Sequence, residues 1–280
     1  MRNAGWQGFT LIELSIVLVI IGLIVGGVLT GRELIKAAEV RAQIAQIEKY
    51  NTAVNTFRDK YGGLPGDLGV SNVTQFGFTA RAGTAGRGDG NGVIEGVHYS
   101  NGNIYGWVTE GEPVFFWQDL SQAKLIDATF SGATDASPLP LTSTTLPNFL
   151  PRAKIGNSNY VYVFSTCQSS PSSCFTFSGK NFFGLTSISS INASDVISTP
   201  DIGLSVMDAY KIDSKVDDGL PRKGNVQAFY SFANSNPNPG YAPNNATASS
   251  STCFDTTTNT YSITQSGGSN LNCGLSFAFQ

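Results

Sequence analysis

Residues 9–31 read FTLIELSIVLVIIGLIVGGVLTG, 23 residues with one charged side chain, Glu13. As a helix at ~1.5 Å per residue this run extends about 35 Å, enough to cross a hydrocarbon core of about 30 Å. A secretory signal peptide fits poorly, because its apolar region is usually about 7–15 residues and ends at a small-residue cleavage site. Here the run passes directly into charged, helix-forming sequence. A plain membrane anchor accounts for the length but not for Glu13. A carboxylate inside such a run costs roughly 2.5–3.5 kcal/mol on insertion scales and marks a functional position by default.

The remainder of the chain is sparsely and unevenly charged. Of 280 residues only 13% are charged, against roughly 25% in an average soluble protein. Ten charged side chains fall between Arg32 and Lys60, whereas the stretch from Gly224 to the end holds only Asp255. Aromatic residues make up 11%, which excludes disorder of the whole chain. The formal net charge of −3 gives no basic footprint for nucleic acid. Only one stretch is apolar for long enough to span a membrane, so a multi-span protein is excluded.

The string Gly8-Phe9-Thr10-Leu11-Ile12-Glu13 follows a short polar leader containing Arg2. It resembles the cleavage and methylation signature of type IV pilins and type II secretion pseudopilins, with Gly before the cut, Phe after it and Glu at the fifth mature position. The resemblance implies that a prepilin peptidase cuts between Gly8 and Phe9 and methylates the new amine. It also implies that Glu13 of one subunit meets the Phe9 ammonium of a neighbour. The charges agree with this: an α-amino group has a pKa near 8, and in lipid both charges need partners. The implied division is a leader at 1–8, a transmembrane and filament-core half-helix at 9–31, an amphipathic half-helix at 32–61 and a globular pilin domain at 62–280.

Orientation follows from the cysteines better than from flanking charge. Arg32 and Lys36 follow the span while only Arg2 precedes it, so the positive-inside rule alone does not favour a cytoplasmic N-terminus. Cys167, Cys174, Cys253 and Cys273 all follow the span, and their spacing with one His makes no zinc site. An even set fits an oxidising compartment. Four cysteines allow three connectivities, of which we expect the sequential pairs Cys167–Cys174 and Cys253–Cys273. The expected location is the inner membrane, single-pass, with the C-terminal domain in the periplasm, and then an extracellular filament or a periplasmic pseudopilus.

Val40, Ile44, Ile47, Val54, Phe57 and Tyr61 recur mostly at spacings of three and four, so the helix is expected to continue with one apolar stripe until Gly62-Gly63 and Pro65 stop it. Gly22, Gly26, Gly27 and Gly31 weaken its first half but suit close helix packing in a membrane. Further helices are expected at 114–127 and 201–217, and strands at 160–165, 175–178, 182–188, 226–232 and 275–279. This order predicts an α+β fold with an antiparallel sheet and loop-rich, disulfide-stapled insertions. The resemblance implies a pilin-like architecture, in which the long helix lies on that sheet.

Two acidic stretches are candidates for calcium. Asp89, Asn91 and Glu95 lie in a sequence like the middle of an EF-hand loop, but Arg87 and His98 stand where ligands are needed at its ends. An Asn-Gly turn is the preferred reading. Asp213, Asp217 and Asp218, with Asp208, form the second stretch. The alternation with Lys211 and Lys215 favours a solvated helix face. Catalysis has little basis: His98 is the only histidine, and neither a GxSxG elbow nor a CxxC occurs. The expected function is a non-enzymatic filament subunit whose partners are the prepilin peptidase, inner-membrane assembly machinery, the lipid bilayer and other copies of itself, with no cofactor beyond the calcium candidates. The alternatives are a minor pseudopilin of a type II secretion system and a single-pass membrane-anchored periplasmic binding domain that does not polymerise.

Overall fold

The computed structural model describes residues 10–84, 86–96, 99–100, 103–104, 111–130, 132–133, 140–165, 180–191, 197–198, 203–230, 246–269 and 272–279. Helix α1 runs unbroken from Leu11 to Tyr61, about 76 Å at ~1.5 Å per residue. Gly62 ends it in the left-handed conformation (φ 76°), its N–H donating to the Arg58 carbonyl. A residue without Cβ adopts that backbone at no steric cost, which is why helices so often stop there. The second half of α1 is amphipathic: Val40, Gln43, Ile47, Tyr50, Ala53, Val54, Phe57 and Tyr61 are buried.

That stripe packs on a four-stranded antiparallel sheet. Its strands are β1 (Asn159–Ser165), β2 (Asn181–Ser187), β3 (Val226–Tyr230) and β4 (Cys273–Ala278), in the order β1-β2-β4-β3. The last strand is thus inserted between two earlier ones, with Leu275 facing Leu185 on one side and Ala228 on the other. Every residue of β1 and β2 is buried, so these strands are covered on both faces. The long helix on an antiparallel sheet makes this an α+β, pilin-like fold.

Among the described residues three shorter α-helices complete the frame: α2 (Val70–Phe76), α3 (Glu112–Gln122) and α4 (Val206–Val216). Helix α3 is buried from Glu112 through Leu120. Its Trp117 ring meets Tyr50 of α1 edge-on at 4.9 Å and Phe116 at 5.0 Å, geometry that adds to plain area burial. The chain leaves α3 earlier than its sequence suggested, because Lys124 takes a left-handed backbone (φ 57°) and Leu125 N–H turns back to the Leu120 carbonyl. Helix α4 starts at Ser205, whose Oγ accepts from the Asp208 N–H. The helix expected from 201 begins only after Ser205, because Leu204 pairs with Cys273 of β4 instead; residues 201–202 and the expected strand at 175–178 lie outside the described residues, and α2 was not expected at all.

A disulfide joins Cys253 to Cys273, with Cα atoms 5.2 Å apart. It ties the loop after residue 246 to the first residue of β4, and both cysteines are fully buried. Cys167 and Cys174 lie outside the described residues.

Candidate functional site: the N-terminal helix

The first turn of α1 is fixed by a reciprocal pair of side chains. Glu13 N–H donates to Thr10 Oγ1 at 3.3 Å, while Glu13 Oε2 accepts from the Thr10 N–H and from its hydroxyl, both at 2.8 Å. This capping box satisfies backbone donors that a helix start leaves open. It also holds the Glu13 carboxylate at the N-terminal end of the helix. Gly8 and Phe9 lie outside the described residues.

From Leu11 onward the helix presents apolar side chains all round. Leu11 is 89% exposed and Leu23 72%, and none of the most apolar stretch is buried against the rest of the chain. The polar side chains in this run are answered locally: Ser15 Oγ donates to the Ile12 carbonyl and Thr30 Oγ1 to that of Gly26. Gly22, Gly26, Gly27 and Gly31 face open space. A polypeptide does not leave such a surface in water; its length and composition suit a bilayer or other helices like it. Glu13 is then the one group on this surface that brings charge into an apolar medium.

A family model described as the prokaryotic N-terminal methylation motif matches residues 7–29. The chain carries a prepilin-type signal. In that segment it is similar to type IV pilin-like and pseudopilin precursors, and the signal implies a membrane-anchoring helix and processing by a prepilin peptidase. The prepilin-type segment ends where α1 is still fully exposed, so it covers the part of the helix that the globular domain does not touch. No curated protein and no solved structure matches the chain significantly.

The acidic candidates divide differently from their expected grouping. Asp89 comes together with Asp67 and Glu112, one oxygen of each lying within 4.8 Å of the others. Asp67 and Glu112 are buried, and they grip the glycine loop: Asp67 accepts from the N–H groups of Gly90 and Gly92, Glu112 from those of Gly88 and Glu95. Asn91 is exposed and accepts from Val93 N–H in a local turn. Burial, with the Asp89 charge adding, pushes Asp67 up from 3.8 to about 7. Burial and then the Asp67 charge push Glu112 well above the ordinary carboxylate range, and burial raises Glu95. Sequence reading missed Asp67 and Glu112; their only local signals are a Gly-Asp turn and a Glu-Pro helix start.

Asp213, Asp217 and Asp218 do come together within 4.8 Å. The solvated helix face expected there is corrected by burial. Asp213 is fully buried and accepts from the Tyr261 hydroxyl at 2.7 Å, and Asp208 is buried against Lys36. The residues do fall at helical spacing, but α4 turns Asp208 and Asp213 inward and leaves Lys211 and Lys215 outside. Burial outweighs the Tyr261 hydrogen bond and lifts Asp213 to about 7.

Proposed function

We propose that the chain is a structural subunit of a type IV pilus or a related filament. It is made as a prepilin, cleaved after Gly8, N-methylated at Phe9 and polymerised by packing of α1. The globular part at 62–280 becomes the filament surface. The observation that carries this reading is a continuous helix whose first half is wholly exposed and apolar yet keeps Glu13 at its start. Both Thr10 donors use Oε2 of that carboxylate. When helices pack side by side with a stagger, Glu13 neutralises the N-terminal ammonium of the next subunit, and glycines at 22, 26, 27 and 31 allow close approach.

The test is Glu13→Leu, followed by fractionation into membrane and sheared-filament pools. A simple anchor keeps both its level and its location with Leu at this position, because the change makes the span more apolar. A filament subunit stays in the membrane and disappears from the filament pool. Unchanged filament yield in Glu13→Leu contradicts the proposal.

A further inference from the structure

The exposed apolar surface of α1 does not end where charge begins. Arg32 follows Gly31, yet Leu34 and Ile35 are still 67% and 61% exposed. Arg32 to Lys36 covers about 6 Å of helix axis at ~1.5 Å per residue. The polar layer of a bilayer is about 5–8 Å deep on each side, the difference between a hydrocarbon core of ~30 Å and a full thickness of ~40–45 Å. A helix whose apolar run ends at Gly31 at the edge of the hydrocarbon therefore sets Arg32 and Lys36 in the polar layer where the lipid phosphates lie, with the exposed side chains of Leu34 and Ile35 between them.

At this level the globular domain meets the helix. Lys36 Nζ donates to Asp208 Oδ2 at 2.9 Å, fixing the first turn of α4 beside α1. Between the two helices is a cavity of about 530 Å³, lined by Arg32, Glu33, Lys36, Met207, Lys211 and Gly268 among others. Gly268 has φ 70°, and a Cβ there would lie 3.1 Å from Met207 Cβ and 3.2 Å from Met207 N. Only glycine lets the 265–268 turn close one side of the cavity.

Five charged groups face this space: Arg32, Lys36 and Lys211 against Glu33 and Asp208. Asp208 is nearly enclosed and is engaged by Lys36. An ammonium has three donors, so Lys36 keeps capacity beyond this bond. Among the described residues Arg32 and Lys211 form no ion pair. The cavity thus sets three cationic groups against two carboxylates, of which Asp208 is already engaged by Lys36 and Glu33 is not, leaving a formal excess of one positive charge, with an apolar approach from the membrane side.

We propose that this cavity seats the phosphate of an anionic phospholipid in the bilayer leaflet that faces the globular domain. That docks the start of α4 and the 265–268 turn on the membrane surface while the subunit waits for assembly. The proposal rests on the membrane-anchor reading of residues 9–31. Charge complementarity and continuity with the apolar span support it, and basic side chains at such a surface each add to the attraction for anionic lipid. Removal of the subunit from the bilayer breaks this contact, so the same groups set how readily a subunit leaves the lipid.

The experiment uses the full chain in nanodiscs of phosphatidylcholine alone and of phosphatidylcholine mixed with phosphatidylglycerol. Hydrogen exchange is followed at amides 205–211 and 265–269. The expected result is exchange about tenfold slower with phosphatidylglycerol, with the difference lost in the double variant Arg32→Gln/Lys211→Gln. Inorganic phosphate added to the phosphatidylcholine discs gives no such protection. Equal exchange in the two lipids, a difference that survives in the double variant, or protection by free phosphate each overturn the proposal. A chain that does not insert into either disc overturns the membrane-anchor reading, and this proposal with it.

Discussion

Replacing Arg81 by Met tests how the loops after α1 are held. Arg81 and Asp119 have fully buried side chains. Their contact is bidentate, Nη2 to Oδ1 at 2.7 Å and Nη1 to Oδ2 at 3.1 Å, and Nη1 also donates to the Gly66 carbonyl at 2.7 Å. Gly66 N–H returns a bond to Asp119 Oδ2 at 2.8 Å, and the guanidinium lies 4.6 Å from the Phe115 ring centre. One ion pair therefore joins the 62–69 loop, the 79–88 loop and α3. Removing one partner of a buried pair leaves the other charge without compensation and costs about 3–5 kcal/mol. We expect Arg81→Met to lose about that much in urea unfolding of the full chain in micelles, followed by near-ultraviolet circular dichroism. The loss should shrink at acid pH, where the orphaned Asp119 takes up a proton. Arg81→Met/Asp119→Leu should recover most of it, since an apolar pair of similar size often replaces a buried ion pair without loss. A cost below about 1 kcal/mol for the single variant, or no recovery in the double, refutes the reasoning.

Cys253→Ser/Cys273→Ser should lower stability by roughly 2–4 kcal/mol and increase proteolysis around 246–259 first, because the disulfide ties that loop to β4; equal protease patterns contradict this. Asp67 holds its proton to about pH 7 in the folded chain but releases it near 3.8 when unfolded. Its contribution is therefore complete below the unfolded value and is lost as pH rises through about 7; Asp67→Asn should flatten the melting temperature over that window, and an unchanged pH profile refutes the assignment. Calcium titrated calorimetrically is expected to give no saturable heat, since the Asp67 and Glu112 oxygens accept from backbone N–H groups and Asp213 from Gly219 N–H and the Tyr261 hydroxyl. A stoichiometric heat lost in Asp89→Asn would assign a site at the glycine loop.

The parts of this protein that the sequence makes legible are those fixed by local pattern. The stripe from Val40 to Tyr61 and the Gly62 stop lie within one element, and α1 ends where they say it should. The strands at 159–165, 181–187, 226–230 and 273–278 carry dense apolar and aromatic residues and emerge within a residue or two of expectation, where the described residues allow comparison. What the sequence hides depends on partners far along the chain. Asp208 and Asp213 look like a solvated face until Lys36 and Tyr261 arrive from 172 and 48 residues away. Arg81 and Asp119 give no local sign that they will be enclosed together, and Asp67 has no sign that it will hold a glycine loop 23 to 25 residues on. Helix α2 is only seven residues long and carries no charge, too short for a periodic signal.

N-terminal analysis with intact mass of membrane-purified protein tests the proposed processing and assembly of the chain most directly. The expected result is a chain that begins at N-methylated Phe9, its leader removed after Gly8. A chain that begins at unmodified Met1 would contradict it.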